Sequence, residues 1–528
     1  MSAKARGKAS KTGTPEKKRY DVLLSSARRR ESRVKGRTLE EEADSDRGRV
    51  LFSAPFRRLQ NKAQVFSLET NAAVRSRLTH SLEVSSIGRY VAQQAIKALG
   101  ETELSDLGIA GKERPLITFV ETACLLHDLG NPPFGYFGEI AISDWFHLNV
   151  DRLKPSGIGG STDRLWGEYC NDFQHFDGNP QGFRIITRLQ ASETADLNGL
   201  NLTATTLAAT LKYPWSSEQV GKQYKGRGGV RKKAGYFRTE HDVFLWLWKD
   251  LGLEQEQRHP LVYLMEAADD IAYCVSDIED GIEKGLIAAK DFSAYVSEKL
   301  EGSPLSNGKS SDYDIQAILR ALSRLRQPRF ERPADKTLVE RLTPMQDFRS
   351  GVIRFLASRA GLGFRHAHGA LLTGHAAPLL GDGDEGLLLG VIKSFAESSL
   401  YSSTIVRQRE ITAHAVLSGL LDAYLPVMAC DRERFECCLA GKHKDDKGRP
   451  IARESSLVGR IAKKYLAVYR EATARFDREH ARNNGAAIVM ERIHRMRLAV
   501  DHISGMTDEF ALQSFQLISG VDIDPHRN

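Results

Sequence analysis

Cysteine is scarce in this chain. Its 528 residues include six cysteines, at positions 124, 170, 274, 430, 437 and 438, and no two have the Cys-x-x-Cys spacing. This pattern argues against a structural zinc site built from thiolates and against the disulfide framework of small secreted domains. We therefore expect reduced, buried thiols in a cytoplasmic protein.

Long apolar runs are also missing. The sequence has no stretch of 18 consecutive apolar residues, so it predicts no transmembrane helix and no membrane partner. The N-terminal basic residues are not followed by an apolar segment, so no secretory signal is expected. With 41% hydrophobic and 27% charged residues, the composition is typical of a globular protein with a large core or two to three domains.

Positive charge is concentrated at one end of the chain. Residues 1–37 contain thirteen Lys/Arg and three Asp/Glu, a local balance of +10, whereas the whole chain carries +7. We interpret 1–37 as a basic, disordered N-terminal arm, since its first eighteen residues are rich in Ser, Gly, Thr and Lys. The alternative function of this arm is contact with nucleic acid, because a flexible basic segment neutralises phosphates without reading sequence.

Helical periodicity dominates the rest of the chain. Apolar residues recur at the 3.6-residue spacing of helices, while strand signals are few and short, so we predict a mostly α-helical fold. The long predicted helices include 78–99, 114–129, 259–284, 338–361, 412–425, 457–474 and 486–505.

The strongest chemical signal is the pair His127-Asp128. It follows an apolar run over 116–126, so both residues fall on the last turn of a predicted helix, which Gly130 and two prolines then end. Adjacent helical residues point about 100° apart, so both can bind one ion only if it lies beyond the helix end. A lone pair of this kind is common on protein surfaces, and the case for a metal therefore depends on its partners.

Two further residues complete the ligand set of a mononuclear metal site. His80 lies at the start of the predicted helix 78–99, and Asp269 lies within the predicted helix 259–284. Asp270 is an alternative ligand, but with Asp269 the positions 269, 273 and 277 share one helix face. Two imidazoles and two carboxylates suit a divalent first-row ion such as Mn, Fe, Co, Ni or Zn.

Several segments together are similar to a known family. They are 45–49, 57–60, 64–66, 75–84, 127–139, 175–179, 266–280 and 503–508. These segments resemble the HD-domain deoxynucleoside triphosphate triphosphohydrolases, and most closely the bacterial dGTP triphosphohydrolases. The resemblance covers roughly residues 40 to 515, with a poorly matched middle around 285–400.

The resemblance implies an enzyme that hydrolyses a dNTP, in particular dGTP, at the α-phosphorus to release deoxynucleoside and tripolyphosphate. It implies an HD-domain core over 38–290, with additional helices over 291–528 that complete the substrate pocket and the subunit contacts. The implied cofactor is Mn²⁺ or Mg²⁺, with Co²⁺, Fe²⁺ or Ni²⁺ as alternatives. A homo-oligomer, usually a hexamer, is also implied, and some family members bind single-stranded DNA.

The resemblance also assigns roles to individual residues. The implied metal ligands are His80, His127, Asp128 and Asp269. The implied substrate-binding residues are Gln64 at the sugar, Lys212 and Tyr213 around the phosphates and ribose, Tyr273 and Asp277 at the sugar and triphosphate, and Glu410 at the guanine. An arginine that the family supplies from a neighbouring subunit has three candidates, Arg449, Arg453 and Arg460.

One position departs from the family pattern. The family loop reads Gly-His-Phe-Gly-Glu, whereas this chain has Tyr136 in place of the histidine and keeps the glutamate as Glu139. A phenol can donate a hydrogen bond but, unlike an imidazole, does not take up a proton to become a cation. We therefore expect a slower enzyme, a changed leaving-group strategy or a silenced form. Either Tyr136 or His175, which the family places near the phosphates, could take over the proton transfer.

Two alternatives stay open at this point. A catalytically weakened protein could bind nucleotides or single-stranded DNA as a regulator, which Tyr136 and the basic arm would suit. A phosphodiesterase or alarmone hydrolase is less favoured, because the Gln64 and Lys212-Tyr213 matches have no reason to occur there. The segment 222–238, with seven basic residues and no acid, is either a solvated loop or an anion-binding lid.

Overall fold

A computed structural model describes residues 19–69, 71–190, 198–224, 229–305, 313–326, 338–479, 481–482 and 484–521. Within these ranges the chain is mostly α-helical, which confirms the predicted fold class. The first part of the predicted arm, residues 1–18, lies outside the described ranges.

The second part of the predicted arm, residues 19–37, packs onto the protein. Tyr20 and Leu23 are fully buried, and Arg28 forms buried ion pairs with Glu42 and with Asp46, the latter at 2.6 Å. These apolar and paired side chains hold the segment against the body. The boundary that we predicted at residue 37 therefore differs from the structure.

The described residues form 22 α-helices and one small sheet. The helices are α1 (Arg19–Leu23), α2 (Leu39–Leu51), α3 (Ala54–Arg58), α4 (Arg77–Leu107), α5 (Glu113–Leu126), α6 (Tyr136–Leu153), α7 (Ser161–Gln174), α8 (Gly178–Arg184), α9 (Ala204–Thr210), α10 (His241–Asp250), α11 (Pro260–Glu283), α12 (Ala289–Leu300), α13 (Tyr313–Leu325), α14 (Leu338–His366), α15 (His368–Leu372), α16 (Gly383–Ala396), α17 (Thr404–Ala429), α18 (Arg432–Leu439), α19 (Ala452–Gly459), α20 (Lys463–Glu479), α21 (Gly485–Ser504) and α22 (Asp508–Ser519). The strands β1 (Gln223–Tyr224) and β2 (Gly229–Val230) pair antiparallel, with Gln223 opposite Val230.

The core forms around α4. This helix packs along α5, α11 and α14, and α5 in turn packs against α2 and α9. The helix α11 is apolar on most of its surface, as expected for a helix that neighbours surround. A second group forms where α17 packs against α6, α21 and α22. The helices of the first group carry or adjoin the predicted metal ligands His80, His127, Asp128 and Asp269.

Most predicted helices occur, but their ends differ. The helix α4 extends the predicted segment 78–99 through Gly100, where φ of 72° interrupts the helix in a conformation that glycine adopts readily. The predicted helix 457–474 is wrong, because the chain breaks into α19 and α20. Gly459 is a weak helix former, and the amide of Arg460 bonds to the Leu457 carbonyl in a tight turn.

One helix has the length and composition to cross a membrane. Among the described residues it is the part of α17 from Arg407 to Ala429, in which an 18-residue stretch has a mean hydropathy of 1.3 and half of its residues buried in the protein. A core helix of a globular protein meets the same criterion, and Leu417, Leu420 and Leu421 are fully buried here. All six cysteines are unpaired and five are buried, as predicted.

A buried ion cluster joins distant parts of the chain. Arg184, at the end of α8, donates to both carboxylate oxygens of Asp501 on α21, at 2.7 to 3.0 Å. Its Nη1 also donates to Glu240 Oε1 at 2.7 Å, and all three side chains are buried. Charges removed from water in this way depend on one another, because each alone would be costly to bury.

We expect Asp501→Ala to destabilise the protein strongly. The substitution leaves Arg184 with one acid in place of two, and breaking a buried pair of this type costs about 3–5 kcal/mol. Urea unfolding followed by circular dichroism measures the change in the free energy of unfolding. Glu31→Ala, which removes an exposed partner of Lys35, is the control and should produce no measurable change. Equal stability of the two variants would contradict the expectation.

Candidate metal centre and substrate cavity

Four side chains that the sequence suggests as metal ligands converge on one point. His127 Nε2 lies 3.4 Å from Asp269 Oδ1 and 3.6 Å from Asp128 Oδ2, and His80 Nε2 lies 3.5 Å from the same Asp269 oxygen. One potential ligand atom from each of His80, His127 and Asp269 lies within 4.8 Å of the other two. Two imidazoles and two carboxylates this close together can bind one divalent ion.

Three packed helices bring these residues together. His80 lies in the first turn of α4, and Asp269 lies in the middle of α11. His127 and Asp128 follow α5, which ends at residue 126 and so slightly before the predicted boundary. Because α4 packs against both α5 and α11, the three segments face a common point.

The histidines direct free ring nitrogens at this point. His127 Nδ1 lies 2.7 Å from the Cys124 carbonyl oxygen, which assigns the proton to Nδ1 and leaves a lone pair on Nε2. Among the described residues, neither His127 Nε2 nor the two ring nitrogens of His80 have a hydrogen-bond partner, although all three atoms are buried. Buried polar atoms are normally paired. A divalent ion would satisfy both Nε2 atoms, so the residues fit a metal.

Both aspartates of the cluster are ionised. Burial raises the pKa of Asp128, but Arg77 and the two histidines outweigh burial and lower it to about 2. Burial also raises the pKa of Asp269, and the histidines with Lys212 bring it well below its usual range. Arg77 Nη1 lies 2.5 Å from Asp128 Oδ2, and the other oxygen accepts from Asn131 at 2.7 Å. Two ionised, partly buried carboxylates favour a bound cation.

The other polar candidates on α11 lie beside the cluster. Asp270, the alternative ligand, pairs with Lys393 at 2.5 Å. Tyr273 lies one turn beyond Asp269, and its ring stacks on that of Tyr401 with a centroid separation of 6.3 Å. The Tyr401 hydroxyl donates to buried Asp277. Burial raises the pKa of Asp277 to about 7, against the lowering effect of this hydroxyl.

Two cavities open at the cluster, with volumes of about 720 and 250 Å³. They adjoin each other, because five residues line both of them: Asp128, Asn131, Glu139, Lys233 and Asp269. The larger cavity is also lined by Gln64, Arg77, Phe134, Tyr136, Tyr273, Tyr401 and Glu410, and the smaller by His127, Asn179, Lys212 and Tyr213. The larger volume is typical of a pocket for a small organic molecule.

The larger cavity presents a free acceptor. Gln64 Oε1 is buried and has no hydrogen-bond partner in the part of the chain that the structure describes. A ligand hydroxyl that reaches this atom would satisfy it. Glu410, which the resemblance links to a guanine, lies exposed at the edge of the same cavity.

Two lysines line the smaller cavity, and both lie beside acids. Lys212 Nζ lies 3.7 Å from Glu266 Oε1. Lys233 Nζ lies 2.6 Å from Asp177 Oδ2 and 3.4 Å from Glu139 Oε2. These acids, with further charges nearby, raise the pKa of each lysine above its usual value despite burial. Both side chains are therefore cationic, and the cavity suits an anion.

Lys233 is one of the cavity-lining residues that sequence reasoning did not single out, together with Arg77, Asn131 and Tyr401. Its signal was its place in the basic segment 222–238, which we interpreted only as a whole. Arg231 and Arg238 of that segment pair with acids away from the cluster. Residues 225–228 lie outside the described ranges. The described part of the segment therefore contributes one side chain, that of Lys233, to both cavities.

Glu139 and Tyr136 differ in their surroundings. Glu139 is buried, and its Oε1 accepts from the Gly178 amide at 2.8 Å. Burial and neighbouring Asp177 raise the pKa of Glu139 to about 7, against the effect of Lys233. Tyr136, the first residue of α6, is 61% exposed, and its ring centre lies 6.0 Å from Lys233 Nζ. Proton exchange near neutral pH is thus available to the carboxyl.

Four other predicted side chains do not line either cavity. His175 follows α7 and packs edge-on against His147, with ring centroids 5.9 Å apart. Burial and His147 lower its pKa. Among the arginine candidates, Arg449 pairs with an acid at 2.6 Å, and Arg453 and Arg460 are exposed. Within this chain, then, the structure does not bring these four residues to the metal cluster.

Comparison with known proteins finds relatives that extend over nearly the whole chain. No protein-family model matches. The chain is 32% identical over 501 residues to the deoxyguanosinetriphosphate triphosphohydrolase of Enterobacter sp. (strain 638) and 34% identical over 502 residues to that of Klebsiella pneumoniae subsp. pneumoniae. It is 32% identical over 508 residues to that of Yersinia pestis (strain Pestoides F). Each alignment covers 91% of this chain and 94% of the relative.

We expect Tyr401→Phe to destabilise the protein in a pH-dependent way. At about pH 8 the buried Asp277 carboxylate loses its donor, which costs about 1–3 kcal/mol. The loss should shrink at about pH 5, because the folded-state pKa of about 7 leaves Asp277 protonated there and a neutral carboxyl needs the donor less. Urea unfolding of the metal-free protein at both pH values measures this difference.

Tyr424→Phe is the matched control. The Tyr424 hydroxyl donates to the neutral Leu457 carbonyl at 3.1 Å. Its loss should cost the same at both pH values, and an equal pH dependence of the two variants would contradict the role given to Asp277.

Proposed function

The chain belongs to the deoxyguanosinetriphosphate triphosphohydrolase family, and we propose that it hydrolyses dGTP at the α-phosphorus to deoxyguanosine and tripolyphosphate. The observation that carries the proposal is the convergence of two histidines and two aspartates where two cavities meet. A substrate with a nucleoside at one end and a triphosphate at the other suits such a divided site. Its scissile bond would then lie at the junction.

We assign His80, His127, Asp128 and Asp269 as ligands of one divalent ion, Mn²⁺ or Mg²⁺, with Co²⁺, Fe²⁺ or Ni²⁺ able to use the same donors. When bound, the ion supplies charge neutralisation at the α-phosphate. The support for this assignment is chemical. The two Nε2 atoms have no other partner among the described residues, and both carboxylates are ionised.

We place the triphosphate in the smaller cavity. Lys212 and Lys233 would neutralise its oxygens, and the hydroxyl of Tyr213 would contact the phosphates or ribose. Charged hydrogen bonds of this kind are stronger than neutral ones. Because each lysine already lies beside an acid, its ammonium group is held in position before the substrate arrives.

We place the nucleoside in the larger cavity. Gln64 Oε1 would accept from a sugar hydroxyl, and the ring of Tyr273 would pack beside the sugar. Asp277 would act indirectly, because its carboxylate holds the Tyr401 hydroxyl and does not line the cavity. Glu410 is the candidate contact to the guanine.

We propose that Glu139 accepts and releases the proton that is transferred during the reaction, at its Oε2 atom. Its raised pKa of about 7 allows the carboxyl to hold or release a proton near neutral pH, and Lys233 orients it. Tyr136 would donate a hydrogen bond through its hydroxyl. His175 is given no role, because it faces His147 and not the cavities.

The remaining proposals concern the assembly. We propose a cytoplasmic homo-oligomer, a hexamer by family resemblance, in which Arg449, Arg453 or Arg460 of one subunit serves the site of a neighbour. A second candidate function is a nucleotide- or single-stranded-DNA-binding regulator with weak catalysis. The observation that favours it is the exposed phenol at position 136.

Product analysis tests the proposed reaction. The purified protein is incubated with each dNTP and Mn²⁺ or Mg²⁺, and products are followed by chromatography and phosphorus NMR. We expect deoxyguanosine and tripolyphosphate, with dGTP as the preferred substrate. Release of dGMP and pyrophosphate would contradict cleavage at the proposed bond.

If Tyr136 limits the proton transfer, Tyr136→His should raise kcat by about 10²- to 10⁴-fold. Turnover in that variant alone would favour the regulator.

Metal binding tests the ligand assignment. We expect Asp128→Ala to lose stoichiometric Mn²⁺, measured by electron paramagnetic resonance on folded protein, because a ligand and a charge are removed. Asp270→Ala is the matched control and should retain the ion, since Asp270 pairs with Lys393. Full Mn²⁺ binding by Asp128→Ala would refute the assignment.

A further inference from the structure

A buried carboxylate outside the site bridges two of its segments. Asp508 Oδ1 accepts from the Phe134 amide at 3.0 Å, and Oδ2 accepts from the Ala63 amide at 3.1 Å. The side chain is 3% exposed. Ala63 and Phe134 both line the larger cavity, although they are not neighbours in the sequence. One side chain near the C-terminus therefore contacts both.

A buried lysine makes a second bridge beside the first. Lys62 Nζ donates to the Asn131 carbonyl at 2.5 Å and to the Ser504 carbonyl at 3.0 Å. Burial, together with Arg58 and Arg77, lowers its pKa to about 7, against the opposing effect of Asp508. A neutral amine can still donate both hydrogen bonds. The bridge therefore does not depend on the charge of the lysine.

The bridged loop has an unusual backbone. Phe134 has φ of 63° and Gly135 has φ of 58°. A bulky side chain rarely adopts this left-handed conformation, which persists only where the surroundings hold it. The Phe134 side chain is buried, and its backbone amide donates a hydrogen bond to Asp508. This turn separates Asp128 from Tyr136 and Glu139.

Asp508 is not needed to cap its own helix. Thr507, the residue before it, accepts from the Phe510 amide at the start of α22. Both oxygens of the Asp508 carboxylate instead bond to amides more than 370 residues away in sequence. Its contacts point to the site and not to α22.

We propose that Asp508 and Lys62 are positioning residues. Together they hold the turn at 131–135 against the segment 62–64, to which Lys62 itself belongs. Through the turn they fix the Tyr136 and Glu139 backbone relative to the metal ligands, and through residue 63 they fix Gln64. The junction between α21 and α22 thus sets the shape of the larger cavity. The expected effects on catalysis rest on the proposed function, whereas the expected effects on the backbone hydrogen bonds do not.

Asp508→Asn provides the test. Asparagine has nearly the same shape but offers one acceptor oxygen, and its NH₂ group would face an amide N–H. We expect hydrogen exchange at the Phe134 and Ala63 amides to accelerate about tenfold or more, as for loss of one hydrogen bond. With dGTP we expect kcat to fall about tenfold, with a rise in KM because Gln64 also moves.

Asp46→Asn is the matched control. Asp46 is a fully buried carboxylate that likewise bridges distant segments, since it accepts from the Thr203 amide at 2.9 Å and from Arg28 at 2.6 Å. It lines neither cavity. We expect this variant to lose stability and to accelerate exchange near Thr203, with kcat, KM and the Phe134 exchange rate unchanged.

Lys62→Met gives an independent reading. It removes the second bridge without touching Asp508, and we expect faster exchange around Asn131 with a similar fall in kcat. Unchanged Phe134 exchange in Asp508→Asn, or an equal effect of Asp46→Asn at that amide, would overturn the positioning role. If the wild-type protein does not hydrolyse dGTP, the proposed function fails, and the exchange measurements still decide the positioning role.

Discussion

Partly buried negative charge at Asp128 and Asp269 is the constraint on which the rest of this structure depends. Both carboxylates stay ionised although they are partly shielded from water, because the cation of Arg77 acts on Asp128 and that of Lys212 acts on Asp269. The packing of α4 against α5 and α11 is what makes this arrangement, since each helix brings one part of it. A cation would complete the charge balance and would let a phosphate-bearing substrate approach without repulsion.

The same compensation extends outward from the cluster. Lys212 and Lys233 are each paired with acids, so the smaller cavity offers fixed positive groups. The larger cavity shares Lys233 but adds two tyrosines, Tyr273 and Tyr401, and the unpartnered amide oxygen of Gln64. Because Lys212 lines only the smaller cavity and these three residues line only the larger one, the two parts of the site offer different groups to the two ends of a substrate. Glu139 lies where the two meet and has a pKa suited to proton transfer.

Errors in the sequence interpretation have local physical causes. The basic residues at 19–37 suggested a free arm, but Tyr20 stacks on His368 and Arg28 donates to the Asn201 carbonyl, and both partners lie far along the chain. Periodicity continued across Gly459, where a tight turn separates two helices. His175 stays a prediction from the resemblance, and in this chain the turn after α7 directs its ring to His147. The break at Gly459 is set by a hydrogen bond between residues three apart, whereas the ring contacts of Tyr20 and His175 join residues that lie far apart in sequence.

By itself the sequence determined the helical class and the types of residue in the metal cluster, because apolar spacing and the His, His-Asp, Asp order are local patterns. It also determined the family resemblance, through motifs that span the chain. Only the tertiary structure decided that Lys233 lines both cavities, that Asp277 accepts from the Tyr401 hydroxyl, and that Asp508 reaches the turn at Phe134. These are contacts between segments far apart in the chain, which no local periodicity encodes, since they depend on how whole helices pack.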